Sequence, residues 1–397
     1  MARIPFVVPF LFWAAASTAT VLDPPKSKCS NLSFKLPITH DSLVITSPPD
    51  PNNETQNARH VKATLGGAQV EVSGTQVVSG TFTINAIYCR PHPASHRRHP
   101  NREALQILVH GITYNKDMWS GLGLDDQYNW HAAANAEGYH TLAIDRVGHG
   151  PGAKTAYNGQ SFPDPLLIVQ SDFHVESIFQ LINTIRDNTQ RNVIKKKFDK
   201  IIYVGHSYGS FIGAALARLH PSSLNALILT GYSTSINLNT ANVLSFVSPA
   251  TLFPQNPSRF PHSQPKGYQA ISTLSARKEV YFSGSYDPAI PPLDFAYLTD
   301  TITTGESATL IRTASVPVTG YTGPVMIVTG EDDYIFCHTV GKTCEEIMQD
   351  TLAGFFPDIE DSNKGYFVPP RTGHCLTLHY SVGETTREVA RFLERFF

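Results

Sequence analysis

The sequence predicts an α/β fold, a mainly parallel sheet with helices on both faces, and three observations carry that expectation. Short apolar runs ending in glycine (LQILVHG, IIYVG, ALILTG, PVMIVTG) read as buried strands. Segments of helical period separate them, and such alternation implies parallel strands joined by crossover helices. The chain is also long enough for a large core, with 397 residues, 41% of them hydrophobic.

The first residues read as an address. Arg3 precedes the apolar run IPFVVPFLFWAAA and the small residues STAT, the pattern of a secretory signal over residues 1–19 with cleavage near Ala19. The rival reading is a membrane anchor. The run is only about 13 residues where a span needs about 20, and Pro5 and Pro9 interrupt it. No other stretch is long and apolar enough, so no stable membrane anchor is expected.

Residues 20–100 read as a β-rich N-terminal extension. TLGGAQVEVSGTQVVSGTFTINAIYC alternates with period two between glycine breaks. His92–Glu103 reads as a polar surface loop. Five cysteines (Cys29, Cys89, Cys337, Cys344, Cys375) fit an oxidising compartment. Their spacing leaves connectivity open; the pairing expected is Cys29–Cys89 and Cys337–Cys344, with Cys375 unpaired. A chain-entropy treatment gives about 4 kcal/mol for the long loop and about 2.5 kcal/mol for the short one. No CxxC cluster suggests a metal, and none is expected. Asn31-Leu-Ser and Asn53-Glu-Thr are glycosylation sequons.

Residues 101–231 carry the first part of the α/β core. NWHAAANAEGY reads as a helix ending at glycine, and HTLAIDRVGHG as a strand and turn. In DFHVESIFQLINTIRDN, Val175, Ile178, Phe179, Ile182 and Ile185 share one helical stripe. The alternation lapses over residues 232–320, rich in Pro, Ser, Thr and aromatics, which read as a lid or cap insertion. The core resumes over 321–397 and closes with an amphipathic helix burying Val389, Phe392, Leu393 and Phe396. The formal net charge of −2 offers no basic face, and no nucleic-acid partner is expected. The one dense basic run, Arg191–Lys200, reads as a solvated loop before a strand.

The strongest chemical signal is Gly205-His206-Ser207-Tyr208-Gly209, a G-x-S-x-G between a strand and a helix. That strained turn would aim the Ser207 hydroxyl out of the sheet edge and place the Tyr208 N–H where an oxyanion forms. A serine needs a base, and it must be neutral to take a proton. His374 in RTGHCLTLH sits in a glycine-containing loop before the last helix. His379 is its nearest rival and reads as structural, because no glycine turn precedes it. His92, His96 and His99 read as solvated loop residues. The acid is expected among Glu331, Asp332 and Asp333 at the end of PVMIVTG; Asp333 is favoured because the turn needs two residues before the chain points back at the histidine. The Ile112 N–H, after His110-Gly111, is the second expected oxyanion donor.

With these residues in view, VHGITYN, AIDRVGHG, VGHSYG, VTGEDD and GHCLTLH, in that order, resemble the α/β-hydrolase superfamily. ANAEGYHTLAIDRVGHG is similar to secreted α/β-hydrolases of fungi, some of them associated with secondary metabolism. The resemblance covers about residues 100–235 and 320–397 and implies an eight-stranded, mostly parallel sheet and no cofactor. The extension and the 232–320 insertion depart from the family's common core. The activity expected is hydrolysis of a carboxylic ester or lactone through an acyl-enzyme on Ser207. Phe246, Phe253, Phe260, Tyr281 and Phe282 of the insertion point either to an apolar small-molecule substrate or simply to lid packing. The alternatives are an acyltransferase or cyclase, a thioesterase, an epoxide-type hydrolase, which Ser207 in place of an aspartate argues against, and a non-catalytic binding homologue.

Overall fold

Eight strands form the main sheet: β1 (Lys28–Ile45), β2 (Val72–Arg90), β3 (Ala104–Val109), β4 (His140–Ile144), β5 (Lys200–His206), β6 (Ala226–Thr230), β10 (Val325–Val328) and β11 (Lys364–Phe367). Their spatial order is β1-β2-β4-β3-β5-β6-β10-β11. β1 and β2 pair antiparallel, as do β2 and β4; every other pairing is parallel. The computed structural model describes residues 28–93, 103–124, 127–187 and 191–397. The expected signal over 1–19 lies outside them, as does most of the polar loop before β3.

The two kinds of pairing follow from sequence. β1 alternates, burying Phe34, Leu36 and Ile38 while Ser33, Lys35, Pro37 and Thr39 stay exposed. One covered face suffices in an antiparallel pair. β3, β4, β6 and β10 are buried along their whole length. Strands covered on both faces must be apolar throughout. Side chains alternate across the sheet, so β5 sends Ile201 and Tyr203 to one core and Ile202 and Val204 to the other.

On the first face lie α3 (Ser171–Arg186), α4 (Tyr208–Leu219) and α6 (Thr304–Ala314), packed on one another. On the second lie α2 (Trp130–Ala136) and α8 (Val382–Leu393). α7 (Cys344–Phe355) buries Ile347, Met348 and Leu352 in the first core.

Within the β-rich extension the structure adds a helix, α1 (Glu54–Leu65). Asn53 caps it, accepting the Gln56 N–H at 3.1 Å, with Glu54 in the first turn. That start signal was present in the sequence, but the β alternation further on overshadowed it. The insertion is also more ordered than its composition suggests. Two-residue strands β7 (Phe246–Val247) and β9 (Ile302–Thr303) pair antiparallel with β8 (Tyr268–Ile271), and α5 (Leu274–Tyr281) follows β8.

Disulfides join Cys29 to Cys89 and Cys337 to Cys344. Cys29 and Cys89 lie directly opposite in the β1–β2 register, so that bridge staples the edge strand to its neighbour. Cys375 is free and buried, and burial pushes its thiol well above the ordinary range. Since the thiolate is the nucleophile, iodoacetamide at about pH 8 is expected to leave Cys375 unmodified in folded protein and to label it fully in guanidinium. Peptide mapping by mass spectrometry checks this; native labelling of Cys375 would contradict the packing described.

Candidate active site

Parallel strands bring their C-terminal ends to one edge, where open α/β sheets place their ligands. Val109 pairs with Gly205, His206 with Thr230, and Thr230 with Val328, so four strands end nearly level. The residues that follow these ends build the site.

Ser207 sits between β5 and α4 with φ 53° and ψ −117°, a left-handed conformation costly for a side chain. The turn is held from both sides: the Ser207 N–H donates to Thr230 O at 2.8 Å, and the Ser210 hydroxyl donates to the same oxygen at 2.9 Å. Glycines make the sharp reversal possible. A Cβ on Gly205 would lie 2.6 Å from the Gly209 carbonyl, and one on Gly209 would lie 2.2 Å from Val109 O. Ser207 itself is 8% exposed.

Of the three carboxylates after β10, one reaches an imidazole. Asp333 Oδ2 lies 2.8 Å from His374 Nδ1, and both residues are buried. Asp333 Oδ1 accepts the N–H groups of Ile335 (2.8 Å) and Phe336 (3.1 Å). These bonds fix the carboxylate in a turn that runs into Cys337, where the loop closed by the 337–344 disulfide begins. Glu331 is exposed and accepts the Arg371 N–H at 2.9 Å. Asp332 is half-buried, and burial together with Glu331 raises its carboxyl.

His379 does structural work. Its Nδ1 lies 2.7 Å from Cys375 O, and its Nε2 sits between the Gly373 N–H (3.1 Å) and Ser283 O (3.0 Å). The ring thus braces the loop that presents His374. The His374 ring packs in tilted contacts with His206 (centroids 4.8 Å apart), Tyr281 (5.4 Å) and Phe336 (5.6 Å). His206 precedes Ser207, so imidazole and nucleophile turn are neighbours. Nδ1 faces Asp333, which leaves Nε2 as the ring nitrogen not engaged by the carboxylate. No hydrogen bond joins the two side chains among the described residues, and such bonds are often loose before substrate binds.

Gly111 lies against the serine; a Cβ there would be 2.9 Å from Ser207 Cβ. Among the described residues the Ile112 and Tyr208 N–H groups donate to no protein acceptor. Tyr208 opens α4, where the first amides lack helical partners and favour negative charge. Of the insertion's aromatics, Tyr281 alone lies against His374, its ring tilted by 47°. Phe253 and Phe260 stack on each other at 5.4 Å, Phe282 stacks on His379, and Phe246 lies in β7.

Sequence reasoning missed the charged layer beneath this edge. Arg146 is buried, ion-paired with Glu306, and donates to the carbonyls of His110 and Gly111. His149 and His174 reach the same Glu306 oxygen at 3.0 and 2.9 Å. Burial pushes the Glu306 carboxyl up, but Arg146 and His149 outweigh it and hold the group well below the usual range. Burial pushes His174 down to about 4. A second buried pair, Arg277 with Asp294, bonds Thr113. The available signal was the arginine in AIDRVGHG, a charge amid an apolar strand and turn.

The family model described as Alpha/beta hydrolase family matches residues 106–391. A soluble variant of the monoglyceride lipase of Saccharomyces cerevisiae, in complex with a substrate analog, is 13% identical with a TM-score of 0.52, over 79% of this chain and 92% of its own. A thermophilic esterase from Thermogutta terrifontis is 13% identical over 80% of this chain and 94% of its own (TM-score 0.48). The epoxide hydrolase VrEH1 from Vigna radiata is 13% identical over 79% and 95% (TM-score 0.49). At such identities the likeness is one of fold. No curated protein matches by sequence. The strand order, the nucleophile-type turn and a family match over most of the chain agree, and the protein belongs to the alpha/beta hydrolase family.

Proposed function

We propose that this hydrolase cleaves a carboxylic ester or lactone through an acyl-enzyme on Ser207. The observation that carries the reading is the 2.8 Å bond between Asp333 and His374, on a ring packed beside the strained Ser207 turn. Ser207 Oγ forms the bond to the acyl carbon while His374 Nε2 takes its proton. Asp333 holds the imidazole with Nδ1 protonated and stabilises the imidazolium without taking the proton. The oxyanion is met by the Tyr208 and Ile112 N–H groups. The carbon–oxygen bond to the leaving alcohol then breaks, and His374 returns the proton to that oxygen. Water repeats the sequence, releasing the acid and restoring the Ser207 hydroxyl.

Burial of Asp333 and His374, with Tyr281 and Phe336 against the ring, supports an apolar small-molecule substrate. The same enclosure favours transfer to an alcohol as the second reading, since little water reaches the acyl-enzyme. We read the chain as exported. Two disulfides support this, and the exposed Asn31 is the sequon more open to a glycan than the helix-capping Asn53.

A fluorophosphonate probe and a panel of p-nitrophenyl esters beside lactones test the proposal. Labelling of Ser207 with turnover of at least one substrate class supports it. A folded protein whose Ser207 stays unlabelled would count against it and favour the binding reading. Product partitioning with added alcohol separates hydrolysis from transfer.

A further inference from the structure

Arg146 leaves β4 pointing into the protein, where a charge is costly unless fully paired. It is paired on every side. Nε donates to His110 O and Nη2 to Gly111 O, both at 3.2 Å; Nη1 is ion-paired with Glu306; and the guanidinium lies 4.7 Å from the centre of the Tyr208 ring. His110 adds to the grip. Its Nε2 accepts the Arg146 N–H at 3.1 Å, so its Nδ1 carries the proton and donates to Gly111 O at 2.8 Å.

Gly111 O therefore accepts from two buried donors. A trans peptide is planar, with its C=O and N–H on opposite sides. Fixing Gly111 O toward the guanidinium therefore aims the Ile112 N–H the other way, and Gly111 itself packs on Ser207. The next residue is fixed as well. Thr113, at φ 57°, donates its N–H to Thr301 O, and its carbonyl accepts from Asp300 N–H and Arg277.

We propose that Arg146 is a positioning residue for the oxyanion hole: it sets the orientation of the Gly111–Ile112 peptide, and Glu306 of the insertion is the anchor that holds it in place. The inference rests on the proposed acyl-transfer chemistry. Glu306 is rigid for a local reason. It is the third helical residue of α6 in a capping box, its Oε2 accepting the Thr303 N–H at 2.9 Å and its own N–H donating to Thr303 Oγ1 at 3.1 Å. His149, His174 and Glu306 converge as metal ligands do, but Arg146 takes the oxygen they share, so the cation of this cluster is the guanidinium.

Three variants test it: Arg146→Lys, which keeps the charge but not the fork that reaches two carbonyls; Glu306→Gln; and the double Arg146→Met/Glu306→Gln. The double variant removes both charges together and leaves an acceptor for the Thr303 N–H, so it folds even if a single variant does not. Each is compared with wild type on one ester that Ser207→Ala no longer turns over, with active sites counted by burst titration. The readouts are kcat, KM, thermal unfolding, and inhibition by an aryl boronic acid, whose tetrahedral adduct occupies the oxyanion hole. The expected result is a kcat lower by about 10- to 100-fold per titrated site with KM little changed, and boronate affinity weaker by a similar factor. Wild-type kcat and boronate affinity in a folded Arg146→Lys or double variant would overturn this inference alone, leaving the ion pair a packing device. An ester reaction that survives Ser207→Ala would overturn it together with the function it rests on.

Discussion

Replacing Ser207 with alanine is expected to lower kcat by about 10⁴-fold or more and to abolish fluorophosphonate labelling, while the protein unfolds at the wild-type temperature or slightly above it. The first part follows from chemistry. On the proposed mechanism the hydroxyl is the atom that becomes acylated, and neither His374 nor Asp333 can replace it. The second part follows from the backbone. Residue 207 is held at φ 53°, ψ −117°, where any Cβ is strained. Alanine removes the nucleophile but keeps the Cβ. Ser207→Gly removes both, and is expected to raise stability by about 1 kcal/mol through relief of that strain. Steady-state kinetics and denaturant unfolding on the two variants read these effects separately. A Ser207→Ala protein that still hydrolyses its ester would falsify the mechanism; a Ser207→Gly protein less stable than wild type would show that the turn is not under the strain its dihedrals imply.

Asp333→Asn is expected to cost about 10³- to 10⁴-fold in kcat with the fold intact, a larger effect than its single-atom change suggests. The reason is directional. The backbone N–H groups of Ile335 and Phe336 both donate to Oδ1. An asparagine must keep its carbonyl oxygen there, so its NH₂ faces His374 Nδ1. Nδ1 must then accept rather than donate, and the imidazole proton moves to Nε2, the nitrogen that the proposed mechanism needs free to receive the Ser207 proton. The base becomes a donor at the wrong place. KM is expected to change little, because Asp333 is buried behind the histidine. Kinetics with burst titration check the result. An Asn variant within tenfold of wild type would point to Asp332 or Glu331 as the effective acid.

Most of the fold was legible because its signals are local. Four buried runs with glycine at their ends announce the parallel strands, and the period-two pattern of TLGGAQVEVSGTQVVSGTFTINAIYC announces the β-rich extension that contains β2. Ser207 was legible for the same reason: its turn needs small residues two positions either side, and Gly205 and Gly209 are adjacent in sequence. His374 and Asp333 were legible through their turns, Gly373 and Gly330. What stayed hidden joins distant segments. Arg146 and Glu306 are separated by 160 positions, and no periodicity records which buried charge answers another. The two-residue strands β7 and β9 escaped notice because two residues carry no pattern. Helix α1 escaped because its polar face resembles a loop until it packs against α6.

The Glu306 anchor limits how modular this protein is. Insertions at the top of a sheet are attractive parts to exchange, since swapping one for another promises a new pocket on an old body. Here the exchanged piece would take with it the partner of a cation that stays behind. A chimera lacking an acid at the start of α6 would leave Arg146 buried without its counter-charge, and would lose stability before its selectivity could be assayed. Drift or design that recasts the substrate range must therefore carry that glutamate across the graft, along with the Arg277, Asp300 and Thr301 contacts that fix Thr113.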